Sequence, residues 1–119
     1  MTTKEIADRL VELSRKGDFE IAQKELFAKD AVSIEPYSTP AFEKETKGLS
    51  AIKEKGEKWN AMVEETHSIV VSDPIVASNA FACTMRFHFT LKERGVMDMT
   101  ELCVYELKDG KIISEQFYM

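Results

Sequence analysis

Two cysteines, two histidines, three prolines and a single tryptophan in 119 residues leave little room for several classes of function. Cys83 and Cys103 are too few and too far apart for a metal motif, and no Cys-x-x-Cys redox spacing occurs. Both are expected to be buried free thiols that pack as small hydrophobes. His67 and His88 are the only histidines, which excludes a histidine-rich metal site, and each ring is expected on a strand surface. Basic residues are in the minority, 16 Lys and Arg against 21 Asp and Glu, and the net charge is −5. With no run of Lys or Arg unbroken by acids, nucleic acid and anionic membrane are poor partners. No window approaches the roughly 18 apolar residues of a membrane span. The opening Met1-Thr2-Thr3-Lys4-Glu5 has no apolar signal core, so a cytoplasmic location is expected. No motif for ATP, flavin, nicotinamide or metal is present, and no cofactor is expected.

What is present is an ordinary globular composition, 44% hydrophobic and 31% charged. The length suits one domain over residues 1–119, with a core that needs no disulfide or metal staple. There is no internal repeat and no low-complexity segment. Thr2 and Glu5 fit a capping box, and Ile6, Leu10 and Leu13 then recur at helical spacing, with Gly17 closing the helix. Asp18 is placed to cap a second helix with Phe19, Ala22 and Leu26 on one stripe, widened by Phe27. Val32 to Glu35 is a short extended run stopped by Pro36, and residues 37–47 read as a loop. A third helix runs from about Leu49 to Met62, with Ile52, Trp59 and Val63 as its apolar face and Gly56 allowing close approach.

From Thr66 the period changes to two. Ile69 and Val71 belong to a strand ending at Asp73-Pro74. In the next strand Phe81, Cys83, Met85, Phe87, Phe89 and Leu91 alternate with Ala82, Thr84, Arg86, His88 and Thr90, so one face is buried. Two further strands run from Val96 to Leu107 and from Lys111 onward. Helices that precede an antiparallel meander make an α+β fold, with about three helices packed on one face of a curved, mainly antiparallel sheet.

The last hairpin decides where the acids lie. Lys108-Asp109-Gly110 is read as a three-residue loop with Gly110 in the left-handed position. Leu107 then faces Lys111, Tyr105 faces Ile113, Cys103 faces Glu115, Glu101 faces Phe117 and Met99 faces Met119. One surface thus collects Met99, Cys103, Tyr105, Leu107, Ile113, Phe117 and Met119, with Glu101 and Glu115 embedded in it. A two-residue Asp-Gly loop would slip the register by one and send Glu115 to the other side. The three-residue loop is preferred because it gathers the large apolar groups. A carboxyl in such an apolar surround has its pKa raised and becomes available as a general acid or base, whereas at a solvated sheet end it is inert.

Gly17-Asp18, the run from Leu26 to Pro36, Lys47-Gly48-Leu49-Ser50-Ala51-Ile52 and Asp109-Gly110-Lys111-Ile112-Ile113 together resemble the nuclear transport factor 2-like superfamily. The branch they are most similar to is the SnoaL-like proteins, which include polyketide cyclases and are related to ketosteroid isomerase. The resemblance covers essentially the whole chain. It implies a cone in which three helices close over a strongly curved sheet and leave a pocket, and it implies homodimers formed through the convex sheet face. Glu35, just before Pro36, corresponds to the isomerase's proton-shuttling base. The positions of its oxyanion-hole tyrosine and carboxylic acid correspond to Leu10 and Cys103, which cannot donate in their place, so steroid isomerisation by that route is not expected. Plain alternation is in tension with the Glu35 assignment. If Val32 and Ile34 face the core, Ser33 and Glu35 face away from it.

Three functions are therefore open. One is a small-molecule enzyme that transfers protons in an isomerisation, cyclisation or dehydration of an apolar carbonyl compound, with Glu35 as base and Glu115 or Glu101 as acid. The second is a non-catalytic module that holds an apolar ligand, and the third is a protein-interaction adaptor. The expected pocket wall is Trp59, Phe81, Cys83, Met85, Phe87, Met99, Cys103, Tyr105, Phe117 and Met119. A mixed outer surface of Thr84, Arg86, His88, Leu102, Val104, Ile112 and Tyr118 suits an isologous homodimer contact.

Overall fold

The structure is a computed structural model that describes residues 1–119. Helix α1 (Thr3–Arg15) starts at the anticipated capping box. The Glu5 N–H donates to Thr2 Oγ1 at 3.1 Å, and the Thr2 N–H donates to Glu5 Oε1 at 2.8 Å. Gly17, at φ 77°, turns the chain into α2 (Phe19–Leu26). Asp18 occupies the N-cap position, yet its side chain makes no capping hydrogen bond. Strand β1 (Phe27–Ile34) follows at once. Phe27 therefore opens a strand instead of widening the helical stripe, and that strand is longer than the Val32–Glu35 run.

The expected loop over 37–47 ends in a short strand, β2 (Glu45–Lys47), paired antiparallel with β1. Helix α3 (Leu49–Met62) has the expected span, but Val63 belongs to β3 (Val63–Val71) and not to the helix. A Cβ on Gly56 would meet nothing within 4 Å, so this glycine serves no close approach. The chain continues through β4 (Ile75–Val76), β5 (Ala80–Leu91), β6 (Gly95–Lys108) and β7 (Lys111–Tyr118).

The strands form one sheet in the order β2-β1-β7-β6-β5-β3, with β4 paired to β5. All pairs are antiparallel except β1 with β7, which the meander reading did not include. That parallel pair sets Ser33 opposite Glu115, residues 82 positions apart in sequence. The helices cover one face. Ile6, Leu10, Val11, Leu26 and Ile52 from the helices meet Phe81, Cys83, Met85, Cys103, Tyr105 and Ile112 from the sheet in a continuous core. No helix is long and apolar enough to cross a membrane.

The β6–β7 hairpin differs from expectation in two respects that cancel. Its turn is the two-residue Asp109-Gly110, with Lys108 opposite Lys111 and positive φ at both turn residues, 52° and 75°. Such a turn matches the right-handed twist of the strands, which a longer loop must otherwise accommodate. The register then shifts: Leu107 faces Ile112 but Glu106 faces Ser114, leaving Ile113 as an extra residue in a bulge. Beyond the bulge Tyr105 faces Glu115 and Cys103 faces Phe117. Glu115 thus stays on the concave face, although its partner is Tyr105 and not Cys103. Ile112, expected on the dimer surface, is fully buried, and Ile113 does not take the core position assigned to it. Met119, expected opposite Met99 on the pocket wall, is 62% exposed.

Candidate functional site

On β1 Phe27, Ala31 and Ser33 are buried, while Val32 and Ile34 are only half-buried. The alternation is as read, but the small residues face inward because α3 packs over them. Glu35 follows the parity of Ser33 and turns toward the helices. On α3, Lys55 lies one turn beyond the buried Ile52 and shares its face. Its side chain is 15% exposed and that of Glu35 28%. Lys55 Nζ donates to Ser33 Oγ at 2.7 Å and to Glu35 Oε1 at 3.1 Å. Ser33 Oγ donates in turn to Glu115 Oε2 at 2.7 Å. One continuous chain of hydrogen bonds thus runs Glu35–Lys55–Ser33–Glu115. The ammonium also sits 5.9 Å from the centre of the Phe117 ring.

Glu101 joins this group from β6, where it pairs with Met85. Its carboxyl is pushed up to about 7, chiefly by burial, then by the negative charges of Glu35 and Glu115, with Lys55 opposing. Glu115 is 6% exposed, and burial raises its pKa too. The Ser33 hydroxyl and the Lys55 charge pull it back, while Glu35 pushes it further up. The three acids picked out in the sequence are therefore brought together, close enough to feel one another's charge. Tyr105, opposite Glu115, is stacked on Phe81 at 4.7 Å, and burial holds its hydroxyl well above its ordinary value.

The expected pocket wall divides in two. Phe81, Cys83, Met85, Cys103 and Tyr105 are buried in the packed core. Trp59, Phe87, Met99 and Phe117 are half-buried, and Phe117 lies beside the Lys55 ammonium. Trp59 stands edge-on to Phe89 at 5.1 Å and lies 6.4 Å from Phe42. Leu10 and Cys103 are both buried and bring no oxygen or nitrogen donor to the site. His67 and His88 lie outside it, with rings 4.7 Å apart and His67 Nε2 2.7 Å from Thr90 Oγ1. No group of three or more His, Cys, Asp or Glu side chains is arranged to hold a metal ion.

Lys55 and Ser33 were not singled out by sequence reasoning. The available signals were the i, i+3 spacing of Lys55 from Ile52, and Ser33 two residues before Glu35 on an extended strand.

The sequence profile of the SnoaL-like domain matches residues 1–119. The chain belongs to the SnoaL-like family. A structure of a candidate SnoaL-like polyketide cyclase from Mesorhizobium loti is 33% identical, covers 100% of both chains and superposes with a TM-score of 0.92. A second candidate SnoaL-like polyketide cyclase, from Jannaschia, is 17% identical over 98% of this chain and 85% of its own, with a TM-score of 0.68. A protein of ketosteroid isomerase-like fold from Catenulispora acidiphila, solved with trimethylamine, is 19% identical over 99% of this chain and 87% of its own, at TM-score 0.70. None of the curated proteins matches the sequence. Three helices over a curved, mostly antiparallel seven-stranded sheet are accordingly the cone of the nuclear transport factor 2-like fold.

Proposed function

We propose that this SnoaL-like protein transfers protons on an apolar, carbonyl-type small molecule, with Glu35 as base and Glu101 as acid. The observation that carries the reading is the pair of unlike carboxyls in one cluster. Glu35 is held in an ion pair by Lys55, and Glu101 is poised at about 7. Two acids with environments that differ in this way are suited to opposite roles in one proton shuttle. Glu115, more deeply buried and bonded to Ser33, holds the Ser33–Lys55 chain in place from beneath.

Lys55 supplies what Leu10 and Cys103 lack. An ammonium has three donors. Ser33 and Glu35 take two of them, which leaves one for an oxygen that becomes anionic as a proton leaves the neighbouring carbon. The half-buried Trp59, Phe87, Met99 and Phe117 fit the flat apolar body of an aryl ketone.

The test is deuterium uptake at the carbon next to the carbonyl, in a panel of tetralones and acetophenones in heavy water, followed by proton NMR. Acceleration is expected, with Glu35→Gln losing roughly 100-fold or more, the scale of general acid–base catalysis. A pH inflection near 7 should vanish in Glu101→Gln. No acceleration with any ketone, or equal rates for both variants and the parent protein, overturns the reading.

A second copy of the chain is the proposed partner, seated on the outer sheet face. Leu102 and Tyr118 there are 42% and 49% exposed, with the Arg86–Asp98 bidentate pair beside them. Monomeric mass by light scattering at micromolar concentration would count directly against this contact.

A further inference from the structure

The chain's only two cysteines face each other across β5 and β6 as direct partners in the ladder, Cys83 opposite Cys103. The proton-transfer reading leaves them unused, and their chemistry is independent of it. Directly opposed residues of an antiparallel pair have Cα atoms about 4.5 or 5.5 Å apart. Either spacing lies within the roughly 4.4–6.8 Å that a disulfide spans. Both side chains point to the concave face, so neither has to cross the sheet to reach the other. They are 3% and 0% exposed, two rungs along the same face from the Met85–Glu101 pair, with Thr84 and Leu102 between.

We propose that Cys83 and Cys103 are a modification site, a dithiol that hydrogen peroxide converts reversibly into a cross-strand disulfide beneath the acid cluster. Cys83 is the attacking sulfur. It is the more exposed of the two, 3% against 0%, and the adjoining Cys103 thiol and then the charge of Arg15 lower its pKa. The Cys83 thiolate attacks one peroxide oxygen and the O–O bond breaks. This leaves Cys83 as a sulfenic acid and releases hydroxide, which takes up the proton lost from Cys83 to give water. The Cys103 sulfur then attacks the sulfenic sulfur, the S–O bond breaks, and the Cys103 proton leaves with the hydroxyl as a second water. In total two S–H bonds and one O–O bond are lost, and one S–S bond and two waters are formed. The new bond ties together the two strands that carry Phe87 and Glu101.

The experiment treats the folded, reduced protein with excess hydrogen peroxide, followed by intact-mass measurement and a non-reducing peptide map. The expected product is a monomer lighter by two hydrogens, with the Cys83 and Cys103 peptides joined and both free thiols gone. Dithiothreitol should restore the starting mass. In Cys103→Ser the link cannot form, and dimedone should trap a sulfenic acid at Cys83 that the parent protein does not accumulate. If Cys103→Ser does not fold, Cys103→Ala is used in its place, and the parent peptide map decides on its own. Unreacted thiols, oxygen adducts on one cysteine without a link, or a disulfide between two molecules overturns the proposal.

Discussion

Glu101→Gln is the sharpest test of the site's electrostatics, because the substitution keeps the shape and removes only the titration. In the folded protein Glu101 rises from its ordinary 4.5 to about 7. That rise converts to about 3 kcal/mol at full burial, and to about 2 kcal/mol once the partial exposure of Glu101 is allowed to screen it. The sign follows from linkage. A raised folded pKa means that the native state binds the proton more tightly than the unfolded chain does. The stabilisation from the protonated form is then complete below pH 4.5 and is lost as pH rises to about 7. Glutamine stays neutral throughout.

The two proteins should therefore be about equally stable near pH 4.5, with the variant about 2 kcal/mol more stable by pH 8. Urea unfolding at a series of pH values, followed by the fluorescence of the single Trp59, gives the difference directly. Other carboxylates also titrate. Glu5, Glu25 and Asp98 are held below their ordinary values by hydrogen bonds to their neighbours and favour higher pH. These contributions cancel when variant and parent are subtracted, and Glu106→Gln, exposed on the same strand, is the control. A difference profile that is flat, or that grows toward acid, would show that Glu101 is solvated and refute the acid–base assignment.

Three further substitutions probe the same framework. Ser33→Ala removes the hydroxyl between Lys55 and Glu115, so it should cost about 1–3 kcal/mol in urea unfolding and drive Glu115 still higher by carbon-13 NMR titration. Lys55→Met should push Glu101 upward in the same titration, since the ammonium is the charge that opposes the rise; an unmoved Glu101 would place Lys55 outside its field. Gly56→Ala has open space for its Cβ within α3 and should stabilise the protein by about 0.5–1 kcal/mol, read as a higher urea midpoint with an unchanged slope.

Much of the architecture was legible because periodicity records burial. The Thr2 capping box, the α3 span and the alternating face of β5 all appear where the spacing places them. What escaped depends on contacts distant in sequence. The parallel pairing of β1 with β7 brings Ser33 to Glu115, and no local pattern at residue 33 announces a partner at 115. Lys55 reads as one more charged residue on a solvated helix until β1 supplies Ser33 and Glu35 beneath it. The inward face of β1 departs from expectation for a related reason. Val32 and Ile34 are larger than Ala31 and Ser33, yet close helix packing over a strand favours the small side chains.

The hairpin carries the most instructive signal, because its anomaly can be read in the sequence once parity is counted. Ile112 and Phe117 are five positions apart, an odd number, so an unbroken strand must put them on opposite faces. With the two-residue turn and no bulge, Ile112 would enter the core opposite Leu107, but Ser114 and Gln116 would follow it inward and Phe117 would face outward. Phe117 is half-buried, so its packing is worth roughly half of the 1.5–3 kcal/mol of full aromatic burial, enough to match the hydrogen bond a bulge disrupts. The chain accordingly sets Ile113 aside as the extra residue, and Phe117 turns inward opposite Cys103. Glu115, two residues earlier, turns inward with it. The packing requirement of Phe117 thus places a carboxyl where water is scarce, and Ser33 and Lys55 on the neighbouring elements make that placement tolerable.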